Sequence, residues 1–180
     1  MPKFIVFEGL ENLGKTTKIN LLKKVLPSDS FVFTSCPGGS ESAKQIRAVL
    51  ADKMARETMT KETEVLLYAA SHADVSHGVI TPALSAGKHV ICDRYYHSAL
   101  AYQGGLKGHS EENLLLLHEK FSGNLQPNIV LYLFGEQLKN IVIKMVTNVN
   151  TLYGLKKFIT NLLEKKSINH SKKNLMAFIF

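Results

Sequence analysis

Gly9, Gly14, Lys15 and Thr16 stand at the spacing G-x-x-x-x-G-K-[ST], with Leu10, Glu11, Asn12 and Leu13 between the glycines and Thr17 after them. Residue types in that order serve to hold a polyphosphate. A glycine-rich turn lets successive backbone N–H groups face phosphate oxygens, and a helix starting there adds its positive end. Lysine after the second glycine brings a point charge to the β- and γ-phosphates, and the adjacent hydroxyl suits Mg²⁺. Gly9 to Thr17 are therefore the candidate nucleotide-binding residues, with Lys15 also a catalytic candidate and Thr16 a metal ligand. A second constellation, Asp93-Arg94, comes after the apolar run Lys88-His89-Val90-Ile91-Cys92. Ligands of open α/β sheets bind beyond the carboxyl ends of the strands. A carboxylate there suits Mg²⁺, and a guanidinium grips phosphate with its planar fork. Alone, such a pair is an ordinary ion pair at a strand end; beside a phosphate loop it reads as part of a site.

The elements that must position these residues are visible in the pattern. Lys3-Phe4-Ile5-Val6-Phe7 is a β-type run directly before the loop, and residues 15–26 read as a helix with Ile19, Leu22 and Leu26 on one face. Phe31-Val32-Phe33 is a second strand, 88–92 a third and 129–133 a fourth. Helices are expected over 41–53, over about 60–86, and over about 109–122, where Ser110 is an N-cap with Glu111 and Glu112 in the first turn. Leu138, Ile141, Val142, Met145 and Val149 form one helical stripe, and Leu152, Leu155, Phe158, Ile159, Leu162 and Leu163 another. The segment 175–180 reads as a fifth strand or an apolar end. Short apolar strands between helices imply a parallel sheet covered on both faces. The expected fold is α/β, a P-loop NTPase-type three-layer α/β/α arrangement with a five-stranded parallel sheet, in one domain over 1–180.

Composition fits such a domain. The 180 residues are 45% hydrophobic and 21% charged, with no apolar run of membrane-spanning length and no signal pattern, so a cytoplasmic setting is expected. Cys36 and Cys92 have no metal-ligand spacing, and Cys92 reads as a small buried hydrophobe. His109, His118 and His170 read as surface or capping residues. The net charge of +7 is concentrated in residues 135–180, which carry +6. No aromatic ladder or groove-reading motif accompanies those lysines, which argues for a solvated face and against nucleic acid.

Asp93-Arg94-Tyr95-Tyr96-His97-Ser98-Ala99-Leu100-Ala101-Tyr102-Gln103-Gly104-Gly105 resembles the DR[YFH]-x-x-S-x-x-AYQG segment of bacterial thymidylate kinases. Phe7-Glu8-Gly9-Leu10-Glu11 through Thr17, Phe33-Thr34 with Pro37-Gly38-Gly39-Ser40, Glu64 to Ala70, Pro82-Ala83-Leu84 and Pro127 to Leu133 are similar to the same family in the same order. The resemblance implies γ-phosphoryl transfer from ATP to dTMP, giving dTDP and ADP, with Mg²⁺ as the cofactor and a homodimer as the assembly. It implies that Lys15 and Thr16 bind ATP phosphates and the metal, that Asp93 supports the metal, and that Arg94 clamps the dTMP phosphate. Glu11 would face the sugar and acceptor phosphate, Tyr68 would stack on the base, and Ser98, Tyr102 and Gln103 would line the nucleoside pocket. The 60–86 helix offers Ala69, Ala70, Ala73, Val79 and Ile80, apolar positions open to the core, to a dimer face, or to both.

The sequence departs from the family pattern in three places. The family's Arg-Glu-Pro-Gly-Gly-Thr loop is Ser35-Cys36-Pro37-Gly38-Gly39-Ser40, and its base-reading arginine is His72. Phe134 replaces the Asp that usually ends the fourth strand, and no arginine occurs after Arg94. A lid is expected about 134–150, atypical or incomplete, with Lys139 or Lys144 as the point charges in place of an arginine fork. Two alternatives stay open at this level, a kinase of another deoxynucleotide and a catalytically impaired nucleotide-binding relative; a third and weaker one is a nucleic-acid-binding protein using the basic tail, which predicts strongly salt-dependent DNA affinity.

Overall fold

The computed structural model describes residues 1–134, apart from Leu10 and Asn12, and the strand at 142–145. The chain runs β1 (Phe4–Gly9), α1 (Lys15–Val25), β2 (Phe31–Ser35), α2 (Glu41–Ala51), α3 (Lys53–Thr58) and α4 (Lys61–Val75). A π-helical turn, Ser76–Ile80, joins α4 to α5 (Thr81–Ser85). Then come β3 (His89–Asp93), the short α6 (Tyr96–Ala99) with a second π-helical stretch Leu100–Leu106, α7 (Glu111–Phe121), β4 (Ile129–Phe134) and β5 (Val142–Met145).

The sheet order is β2-β3-β1-β4-β5. The first four strands are parallel, with Phe4 opposite Val90 and Ile5 opposite Ile129. β5 runs antiparallel to β4, so the expected fully parallel five-stranded sheet is corrected to four parallel strands with an antiparallel edge. That edge strand lies where a helical stripe was expected. Val142-Ile143 is a β-branched pair, and a short apolar run carries too little periodicity to separate strand from helix. Residues 175–180, the other helical stripe and most of the expected lid lie outside the described residues.

Every residue of β1 is buried, as a central parallel strand with both faces covered requires. The period of two divides the core. Ile5, Phe7, Ile91, Leu131 and Leu133 pack with Ile19, Leu22 and Leu26 of the first helix region. Phe4, Val6, Val90, Cys92 and Val130 pack on the other face with Val75, Ile80, Ala83 and Tyr95. The long helix expected over 60–86 is instead α4, the π turn and α5 in one continuous right-handed run, since Val75, Ser76, Ile80 and Thr81 all keep αR backbone. Thr60 caps α4 and Ser110 caps α7, the latter with both acidic residues in the first turn as the sequence pattern requires.

Candidate active site

The phosphate loop lies between the end of β1 and the start of α1. Gly9 has φ +133°, and a Cβ there would lie 2.2 Å from the Leu133 carbonyl oxygen, so β1 and β4 can stay paired only with glycine at this position. Gly14, at φ 75°, is the N-cap from which Lys15 enters the helix. Lys15 is buried, and its Nζ donates to the Gly9 carbonyl at 2.8 Å. Burial lowers its pKa, and the Arg94 charge lowers it further; Asp93, Glu8 and Glu11 pull the other way. Thr16 Oγ1 donates to Asp93 Oδ2 at 2.9 Å, bridging 77 residues of sequence. These two hard oxygens fit Mg²⁺, which takes few protein ligands and completes its shell with water and phosphate. Leu13 is partly buried against the core, and Thr17 is exposed. Leu10 and Asn12 lie outside the described residues.

Arg94 succeeds β3 in left-handed backbone, φ 67°, an uncommon state for a residue with a side chain. Three contacts hold that turn. Its N–H donates to the Phe7 carbonyl at 2.9 Å, the Cys92 thiol donates to its carbonyl at 3.0 Å, and the next N–H, of Tyr95, donates to Glu8 Oε1 at 2.9 Å. The guanidinium Nη1 donates to Ser98 Oγ at 3.1 Å, and its carbon lies 5.5 Å from the centre of the Tyr102 ring. Ser98 in turn donates to Glu8 Oε2 at 2.7 Å. Glu8 is only 4% exposed. Burial raises its carboxyl, against the lowering effect of the Ser98 and Tyr95 bonds and the Arg94 charge.

One cleft of about 480 Å³ brings together Glu11, Lys15, Thr16, Tyr68, His72, Asp93, Arg94, Ser98, Tyr102 and Gln103. Ten of the residues singled out in the sequence thus face a single space. Gln103 is fixed by donating to Glu64 Oε1 at 3.2 Å, and Lys107 pairs with the other oxygen of that carboxylate. The Tyr68 and His72 rings lie 6.5 Å apart. His72 is buried; desolvation, with His118 and His97 nearby, lowers its pKa to about 3, so it faces the cleft as a neutral imidazole.

Two residues of the site escape a motif reading. Arg47 of α2 lines the same cleft and donates to the Pro37 carbonyl at 3.0 Å. It stands four residues after buried Ala43 and three before Leu50, which lines the cleft with it, so the helical period alone places it on the cleft side of α2 once Ala43 is seated. Glu8 is the other, a lone acid in an otherwise apolar central strand. His118 requires a correction: it is a core residue, 4% exposed, stacked 4.1 Å from Tyr96 and edge-on to Tyr95, because the inward stripe of α7 carries it under α4. His109 is partly buried with its Nε2 enclosed, and His170 lies outside the described residues. Cys36 and Cys92 are both buried, and the thiol of Cys92 is pushed well up by burial, with the adjacent Cys36 thiol adding to the effect.

The family model for thymidylate kinase matches residues 7–149. The chain belongs to the thymidylate kinase family. A thymidylate kinase of Buchnera aphidicola is 38% identical over 173 residues, covering 93% of this chain and 81% of that protein. One from Francisella philomiragia is 38% identical over 135 residues, covering 74% of this chain and 66% of its own length. The chain spans 63–66% of several curated relatives that it matches. Among solved structures, the thymidylate kinase of Ehrlichia chaffeensis superposes with a TM-score of 0.65 at 29% identity, over 73% of this chain and 74% of that one. The family match extends past β4 and through β5, the stretch in which the sequence departs most from the family pattern.

Proposed function

We propose that the cleft transfers the γ-phosphoryl group of ATP to dTMP, giving dTDP and ADP. The observation that carries this reading is the convergence of the phosphate-loop pair Lys15–Thr16, the guanidinium of Arg94 and the ring of Tyr68 on one cleft. Residues 9–17 bind the ATP phosphates, with Lys15 neutralising charge that builds during transfer. Arg94 grips the acceptor phosphate, and Arg47 adds a second positive charge to the same cleft. Tyr68 offers a face to the base, His72 one neutral hydrogen-bonding nitrogen, and Tyr102, Ser98 and Gln103 the sugar side. Thr16 and Asp93 would hold Mg²⁺, which would supply positive charge to offset that of the phosphates. Positioning and charge neutralisation are most of what phosphoryl transfer requires. A cytoplasmic setting and a homodimer belong to the same reading. No described helix is long and apolar enough to cross a membrane. Of the positions offered for pairing, Ile80 is buried in the core and Val79 packs against it, which leaves exposed Ala70, beside Leu66 at 59% exposure, as the apolar patch on α4.

Release of ADP from ATP–Mg²⁺ in the presence of dTMP, dUMP, dCMP or dGMP tests this. Turnover should depend on dTMP and be lost on Arg94→Ala. His72, neutral where the family pattern has arginine, favours a second reading in which another pyrimidine monophosphate is accepted as well; dUMP turnover matching dTMP would establish it. Binding of both nucleotides without turnover with any monophosphate would establish the impaired relative.

A further inference from the structure

We infer that Glu8 is a positioning residue for the acceptor phosphate: its buried carboxylate sets the proton order of a chain, Arg94 N–H to Ser98 hydroxyl to Glu8, and so aims the Arg94 guanidinium into the cleft. The inference rests on the reading of Arg94 as the acceptor-phosphate clamp. A serine hydroxyl has one proton and two lone pairs. Ser98 gives its proton to Glu8 Oε2 at 2.7 Å, which leaves a lone pair for Arg94 Nη1 at 3.1 Å. The other carboxylate oxygen accepts the Tyr95 N–H at 2.9 Å and so fixes the residue next to Arg94. Tyr95 is itself anchored: its ring packs edge-on to Phe4 at 5.1 Å, and its hydroxyl bonds Ser76 Oγ at 2.6 Å. One carboxylate therefore holds both the side chain of Arg94, through Ser98, and its left-handed backbone, through Tyr95.

Only an acceptor–acceptor group serves both bonds. A glutamine must point its amide nitrogen at one of them. Toward Tyr95 N–H it meets a second donor head-on. Toward Ser98 it competes with Arg94 for the hydroxyl oxygen and leaves the hydroxyl proton without its acceptor. A buried carboxylate with a purely structural role would not couple to Arg94 in this way.

The test is a double-mutant cycle on the full chain, with KM for dTMP and for ATP, kcat, and equilibrium binding of dTMP by calorimetry. Glu8→Gln should raise KM and Kd for dTMP about tenfold or more and leave KM for ATP within about twofold. In an Arg94→Ala background, where turnover is lost and the cycle is read in Kd for dTMP, the same change should add nothing to the loss, because the group it aims is gone. Ser98→Ala, which spares the Glu8–Tyr95 bond, should give a smaller loss that is also absent without Arg94; it carries the cycle if Glu8→Gln does not fold. Equal losses with and without Arg94, or equal effects on dTMP and ATP, overturn the inference and leave Glu8 a structural residue. A wild-type chain that binds dTMP without turning it over fails the kinase reading but still runs the cycle in Kd. A wild-type chain that binds no nucleoside monophosphate overturns both.

Discussion

The two parts of the cleft are built by different physics. Around the phosphate loop and Arg94, charged and polar groups meet named partners: Lys15 on the Gly9 carbonyl, Thr16 on Asp93, Arg94 on Ser98, Ser98 and Tyr95 on Glu8. Around Tyr68 and His72 the contacts are ring on ring, through Tyr95, Tyr96, His97 and His118. Four buried polar atoms in that neighbourhood, Ser71 Oγ, His97 Nδ1, His118 Nδ1 and Ser122 Oγ, have no hydrogen-bond partner among the described residues. A site held by directed, charge-assisted bonds tolerates little change. One held by packing of neutral rings tolerates more. The phosphate side is thus the fixed part of the molecule, and the base side is where specificity can drift.

The largest expected effect lies on the fixed side. Lys15→Ala should lower kcat about 10²–10³-fold, the usual loss when one preorganised charge or donor is removed from a transition state. A loss under tenfold would show that this side is as tolerant as the other, and the contrast would fail.

Acid should expose the base side next. Burial lowers His72 to about 3 and His97 to about 4 and lowers His118 as well, all on the base side; it also lowers His89, which stacks on Phe31 at the opposite end of β3 from the site. Unfolded histidine, near 6.5, binds protons that the folded chain refuses, so stability falls as pH drops below about 6.5. Each such group contributes a slope of at most about 1.4 kcal/mol per pH unit. Glu8, raised when folded, acts in the opposite sense above 4.5, as one group against four. Urea melts at pH 7, 6 and 5 should show the fall, and His72→Gln should flatten it. A flat profile would mean that the ring cluster is solvated.

Smaller still, His72→Gln should change kcat/KM for dTMP by less than about tenfold, since one neutral hydrogen-bonding group replaces another and roughly 1.4 kcal/mol is the scale of a single such contact. A loss of a hundredfold or more would place the base side with the fixed one. The smallest effect is predicted for Ser122→Ala, neutral to stabilising by about 1 kcal/mol in thermal or urea unfolding, because it removes a buried hydroxyl with no partner among the described residues.

The same division governs what the sequence could reveal. The phosphate side is local: glycines where backbone must turn or approach closely, then lysine and threonine at fixed offsets. Four parallel strands and the first helix were legible because apolar runs and a single inward stripe leave little choice. Arg47 and Glu8 were less visible, since each is a charged residue on an otherwise apolar stripe or strand, and only tertiary packing shows what it faces. His118 was misread as a surface residue because an isolated histidine on an amphipathic helix has no sequence mark of its depth. The antiparallel edge strand was misread because four residues are too few to show a period. α3 and the helical stretch after Tyr95 were not anticipated; neither carries a repeating apolar stripe long enough to announce it.

The π turn at Ser76–Ile80 works as a phase adapter. Each residue added to an α-helix rotates the upstream segment by about 100° relative to the downstream one, and a π turn is the trace of one such addition. Upstream of it α4 presents Tyr68 and His72 to the cleft; downstream α5 seats Ala83 in the core and leads into β3. Gly78 sits in that turn with open space around it. Its removal would relieve no contact and would let the helix close into regular α-geometry. The two halves would then be out of step: with Ala83 seated, Tyr68 would be swung about a quarter turn from the base, and with Tyr68 seated, the entry to β3 would be misaligned. The base side accepts a change of side chain far more readily than a change of length.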